Sequence, residues 1–264
     1  MRDRSRADGD AGGRAHSAPV VIGVVGARGG VGASVFAAAL AAMAVRAGAS
    51  TVLVDGARDR GGLDVLLGIE DEPGLRWPDL HAARGEVVGD QLHALLPRWR
   101  GAGVLSADRA RPPALPDDVP GDVLDALAVA CDVVVHDVPA DQVGRWGATG
   151  GRGGCTAWVV LARRDLASVA GAIALDGVLD RAVPAGVVVR GPAPGRLTAQ
   201  DVAAASGLDL WGEMRPVRSL ARALERGEGP RMVRGAGRLA GVAAAVLAQV
   251  GASGRARSPS WAQP

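Results

Sequence analysis

Short unbroken runs of β-branched residues alternate along this chain with longer stretches of alanine and leucine. PVVIGVVG (19–26), STVLVDG (50–56), AGVLSA (102–107), CDVVVHDVP (131–139), CTAWVVLA (155–162), AGVVVRG (185–191) and LDLWGEM (208–214) predict strands. Their apolar positions are continuous instead of alternating, the pattern of strands buried on both faces. A further short strand is expected near LHALLP (92–97). Helices are expected over 33–48, closed by Gly48, over 116–130, opened by a pair of acids, and at 163–180, 198–206, 216–226 and 232–250. Strand and helix follow each other from residue 19 to residue 250 without a linker. That rhythm predicts one α/β domain, a mostly parallel sheet with helices on both faces.

Residues 1–18 and 251–264 break the rhythm; they are rich in Arg, Ser, Gly, Ala and Pro and are expected to be disordered tails. The first has no apolar run behind its charges, so it does not read as a secretory signal. The longest apolar stretches fall short of the about 20 residues that cross a bilayer, which points to a cytoplasmic protein. Of the 264 residues 48% are hydrophobic and 3% aromatic, so the core must be built mainly from Ala, Val and Leu. The sequence contains no lysine, and its 30 basic residues are all arginine against 28 acids. A net charge of +2 does not mark a nucleic-acid binder. Cys131 and Cys155 lack metal-ligand spacing and read as core thiols.

The first strand runs into GARGGVGAS (26–34), and a helix follows at once. Strand, glycine-rich turn and helix is the context in which backbone N–H groups turn onto phosphate oxygens at a helix N-terminus. Gly29, Gly30 and Gly32 supply the turn, and Ser34 stands where a hydroxyl would meet Mg²⁺. Ala33 takes the place of a lysine, and in a chain without lysine no other lysine substitutes for it.

With TVLVDGARDRGGLDVLLG and VVVHDVPAD downstream, this loop resembles that of the MinD/ParA group of P-loop ATPases, whose deviant Walker A loop reads Lys-Gly-Gly-x-Gly-Lys-Ser/Thr. GGLDVLLGIEDEPGLRWPDLHAARGEV (61–87) and RPVRSLARALERGEGP (215–230) are similar to actinobacterial CpaE-like and TadZ proteins, the septum-site-determining and pilus-secretion relatives. The resemblance implies an ATP·Mg²⁺ site of Arg28, Gly29, Gly30, Val31, Gly32, Ala33 and Ser34. Arg28 would replace the signature lysine that reaches a partner's phosphates in a homodimer. Ser34, Asp55 and Asp137 would be the Mg²⁺ positions.

The departures are as specific as the matches. Ala33 replaces the phosphate-pairing lysine, Ala57 the second acid of an Asp-x-Asp pair, with Asp59 two residues on. Asp141 replaces a glycine that would face the γ-phosphate, and Arg190 an asparagine that reads adenine, so Arg190 is expected to stack on a base. Phosphoryl transfer needs all its parts placed together. The resemblance therefore implies a degenerate nucleotide-binding scaffold that positions a pilus or secretion apparatus, or the division septum. Two alternatives stand beside it: a slow ATPase using Arg28 and Asp55, and nonspecific DNA binding through surface arginines.

The remaining candidates carry less chemistry. His16, His81, His93 and His136 lack metal spacing and read as core or surface histidines. Trp158 is expected in the core, Trp77 and Trp99 at a partner surface. Helix 232–250 has Leu239, Val242, Val246 and Val250 on one face but no basic polar face, so it reads as a packed helix, with any membrane association indirect. The glycine-rich 144–155 is expected to be a mobile loop near the phosphate site.

Overall fold

The computed structural model describes residues 19–58, 62–81, 87–111, 115–146, 153–193, 195–216, 218–230 and 238–255. Among the described residues eight strands form one sheet: β1 (Val20–Gly26), β2 (Thr51–Asp55), β3 (Arg98–Trp99), β4 (Ala102–Leu105), β5 (Val133–Asp137), β6 (Ala157–Arg163), β7 (Ala185–Arg190) and β8 (Asp209–Met214). Their order is β3-β4-β2-β5-β1-β6-β7-β8. Only the two-residue β3 pairs antiparallel; the other pairs are parallel. The helices are α1 (Ala33–Arg46), α2 (Leu63–Leu67), α3 (Gly89–Leu95), α4 (Val119–Ala130), α5 (Val143–Trp146), α6 (Leu166–Asp176), α7 (Ala199–Ser206), α8 (Arg218–Glu225) and α9 (Leu239–Arg255).

Successive strand residues point to opposite faces, so the unbroken apolar runs feed two cores. In β1, Val21 and Val25 join one cluster with α4, α6 and α7, while Ile22 and Val24 join the other with α1 and α9. Helix α1 is nearly all alanine where it is buried, which lets it lie close to the sheet under the site. β1 ends between β5 and β6, where the chain order of the sheet reverses direction. That crevice at the carboxyl ends of the strands is where ligands bind in open α/β sheets.

Several expectations are corrected. LHALLP is not a strand: Leu92 and Leu96 are one helical turn apart and both buried, and residues 89–95 form α3. Trp77 and Trp99 do not face outward but are 1% and 7% exposed. Trp77 donates its indole N–H to the carbonyl of Asp55 at 2.7 Å, which explains why a tryptophan sits there. Trp158 is fully buried, as expected. Cys131 and Cys155 are buried, and burial pushes the Cys131 thiol up to about 12, so both are inert core groups. The last helix runs through Arg255, and its start is seen from Leu239. Of the tail expected over 251–264, residues 251–255 belong to α9 instead; the rest of it, the expected tail at 1–18 and the start of that helix at 232–237 lie outside the described residues, as do Asp59, His16 and residues 147–152 of the glycine-rich loop.

Candidate functional site

The turn after β1 and the start of α1 form the floor of a cleft of about 790 Å³. The volume suits a nucleotide-sized ligand. Gly30 and Gly32 have φ of +74° and +97°, so residues 29–32 adopt a turn that side chains resist. The carbonyl of Gly32 accepts the N–H of Phe36 at 3.0 Å and starts the helix. Helix α1 begins at Gly32 without a side-chain cap, so the first N–H groups of the helix face the cleft uncapped. Unpaired donors at a helix N-terminus are the chemistry that phosphate oxygens satisfy.

Ser34 and Asp137 face each other in this cleft, from α1 and from the end of β5. Burial pushes the Asp137 carboxyl up to about 6, and the Ser34 hydroxyl beside it pulls in the opposite direction. Asp55 is the register partner of Asp137 on β2. It does not line the cleft, however; it is 3% exposed and faces the β2–α2 connection. Its two carboxylate oxygens accept the N–H groups of Ala57 at 2.9 Å and Leu63 at 3.0 Å. Burial pushes Asp55 up to about 7, and the neighbouring Asp137 charge adds to the rise. Thus Ser34 and Asp137 adjoin in the cleft, while both carboxylate oxygens of Asp55 are engaged by the loop behind them. Among the described residues no three His, Cys, Asp or Glu side chains gather as a metal group. Any Mg²⁺ here must draw its remaining ligands from phosphate and water, as Mg²⁺ commonly does.

Arg28 does not project freely. Its guanidinium donates to Asp165 at 2.8 and 3.3 Å, to the Ser168 hydroxyl at 3.2 Å and to the Gly29 carbonyl at 3.3 Å. Arg28 in turn pulls the Asp165 carboxyl down to about 2. Asp165 also caps α6 by accepting the N–H of Ser168 at 2.9 Å. Its role as the Arg28 partner was not signalled by the motif; the D-x-x-S cap in RRDLAS was the only local cue. Arg190, expected to stack on a base, lies over the loop and donates to the Val31 carbonyl at 3.3 Å. Ala33 and the exposed Asp141 line the same cleft, and Leu220 and Leu224 of α8 close one wall, a contribution the sequence reading missed. His136 is 1% exposed behind the site, and burial lowers it to about 3 and keeps it neutral.

No protein-family model matches the chain. Two uncharacterized proteins of Mycobacterium tuberculosis, one from each of two strains, are 39% identical to it over 215 residues. The match takes in 78% of this chain and 57% of theirs, so the chain spans little more than half the length of the curated relatives it matches. Among solved structures, MinD in a MinC:MinD cell division complex of Aquifex aeolicus superposes with a TM-score of 0.67 at 17% identity, over 88% of this chain and 96% of that one. A ParA family ATPase of Chlorobium tepidum gives 0.64 at 17% over 80% and 90%. The septum site-determining protein MinD of Pyrococcus horikoshii, complexed with Mg-ADP, gives 0.63 at 15% over 86% and 94%. The fold is that of the MinD/ParA P-loop ATPases.

Proposed function

We propose that this chain is a nucleotide-binding scaffold of the MinD/ParA type, of the CpaE/TadZ kind, with little or no hydrolytic turnover. As a homodimer it positions a pilus or secretion apparatus or the division septum. One observation carries the reading: the turn has its left-handed glycines and runs into an uncapped helix N-terminus, with Ser34 and Asp137 in its cleft, while the lysine position beside them is Ala33. Binding parts persist and a transfer part is gone. The Mg-ADP held by the archaeal MinD of the same fold supports ATP or ADP with Mg²⁺ as the ligand. MinD in complex with MinC supports a division or positioning partner.

The residues present fit a phosphate chain through main-chain donors, and they fit Mg²⁺ through Ser34 and Asp137. When bound, the cation would neutralise phosphate charge; Asp137 would face it and Ser34 would supply its hydroxyl. Asp141 adds a carboxylate where a γ-phosphate would lie, which opposes hydrolysis.

Isothermal titration calorimetry with ATP·Mg²⁺ and ADP·Mg²⁺, beside a phosphate-release assay, tests this reading. Expected are micromolar binding and no release above background. Ala33→Lys is expected to tighten binding by about ten- to a hundredfold, the worth of one hydrogen bond to a charged group. Wild-type protein that binds neither nucleotide would sink the proposal; Mg²⁺-dependent release that vanishes in Asp55→Ala would replace it with the slow ATPase.

A further inference from the structure

Two arginines, Arg28 and Arg190, line the cleft of this turn, and a third, Arg163, lies beside them on β6; they are not equivalent. Arg28 is held by Asp165. Arg163, at the end of β6, has its Nε 3.7 Å from the same carboxylate. Arg190, its register partner at the end of β7, has no carboxylate within ion-pair distance among the described residues. Burial and the like charge of Arg163 both lower its pKa, so Arg190 carries a positive charge that its surroundings do not compensate. Its contact with the turn is one hydrogen bond to the Val31 carbonyl at 3.3 Å, which uses one of the five N–H donors of a guanidinium.

The approach of Arg190 is built into the turn. A Cβ at position 32 would stand 3.1 Å from Arg190 Nη1, so Gly32 leaves room for the arginine as well as adopting φ +97°. The head group therefore lies against the turn at the cleft it shares with Ala33 and Ser34. A half-buried guanidinium with no ion-pair partner among the described residues, beside an uncapped helix N-terminus, is a recognition element for a bidentate oxyanion.

We infer that Arg190 is the phosphate-binding cation of this site, reaching from β7 to do what the missing lysine at position 33 cannot. The ligand class is a di- or triphosphate, and the contact is to phosphate oxygens, not to a base. This inference rests on the nucleotide-site reading above and assigns the charge within it. It also accounts for tolerance of Ala33: an arginine from the neighbouring strand supplies a planar fork where a lysine would supply a point charge.

The test is calorimetry of the full chain with two probes, ATP·Mg²⁺ and inorganic tripolyphosphate with Mg²⁺. Three proteins are compared: wild type, Arg190→Gln and the double variant Arg190→Gln/Ala33→Lys. The expected result is that Arg190→Gln weakens both ligands equally, by about ten- to a hundredfold, and that the double variant recovers both. A loss confined to ATP overturns the inference in favour of base stacking, and no loss on either ligand overturns it outright. Failure of the double variant to recover overturns the shared role with position 33. In these three outcomes wild-type binding keeps the nucleotide reading intact; a wild type that binds neither probe overturns both. Should Arg190→Gln not fold, Arg190→Met, of similar length and without the charge, takes its place and the same two-ligand comparison decides.

Discussion

Asp55 and Asp137 stand side by side on paired strands, both raised by burial, to about 7 and about 6. A carboxyl whose folded value exceeds its unfolded 3.8 binds more protons folded than unfolded. Its stabilising contribution is full below about pH 4 and is lost as pH rises through 6 and 7. His136 acts in the opposite sense: lowered to about 3, it contributes stability that is present above pH 6.5 and lost as pH falls. Comparing Asp137→Asn with wild type isolates the carboxyl. Urea unfolding should show the variant more stable than wild type at pH 8, by about 1–2 kcal/mol, with the gap closing near pH 4. A gap that does not change with pH would mean that Asp137 is solvated and unperturbed. That Arg28, the glycines and Ser34 share one turn and that Asp137 ends a strand was legible in the sequence, because each belongs to a short local pattern. The Arg28–Asp165 pair and the position of Arg190 over the turn were not, since they depend on strand register and on where long side chains lean.

Helix α6 sets the position of the phosphate turn from the side. Gly171 lies against the residue that leads out of β1: a Cβ there would be 1.8 Å from the carbonyl of Ala27. Ala27 is itself fixed by donating to the Leu161 carbonyl at 2.8 Å, so the backbone has no room to withdraw. Glycine to alanine inside a helix ordinarily stabilises by up to about 1 kcal/mol. Here the clash reverses the sign, and Gly171→Ala is expected to destabilise by about 1–3 kcal/mol and to weaken nucleotide binding as the turn shifts. A variant as stable as wild type in thermal unfolding would show that α6 slides freely. At this scale the sequence was readable wherever an apolar run was long and bounded, as in β1, β2 and β5 to β8. It failed at LHALLP, where six residues fit either period and only the burial of Leu92 and Leu96 against neighbouring elements chooses the helix. It also missed how tightly the connection after α2 is packed, where the buried Arg76 donates to the carbonyls of Ile69 and Glu72.

At the scale of the molecule, the strand order brings the turn after β1, the acids of β2 and β5 and the arginines of β6 and β7 to one edge of the sheet. Helix α9 is on the opposite account: Leu239, Val242, Val246 and Val250 are buried, in the same core cluster as α1, so its apolar face is already engaged within the fold. In the proposed dimer, Arg28 must leave Asp165 to meet a partner's phosphates. Asp165→Asn tests this because asparagine keeps an oxygen for the Ser168 N–H, and so the cap on α6, while removing the charge that holds Arg28. Analytical ultracentrifugation with ATP·Mg²⁺ should then show the Asp165→Asn dimer forming at lower protein concentration than the wild-type dimer, and Arg28→Ala should show no nucleotide-dependent dimer. Equal dimerisation in all three proteins would mean that Arg28 belongs to its own subunit alone and that the interface lies elsewhere. The distinction has a physical basis: an arginine already satisfied by a carboxylate gains from a second anion only the difference between the two contacts, so loosening the first is the direct way to expose the second.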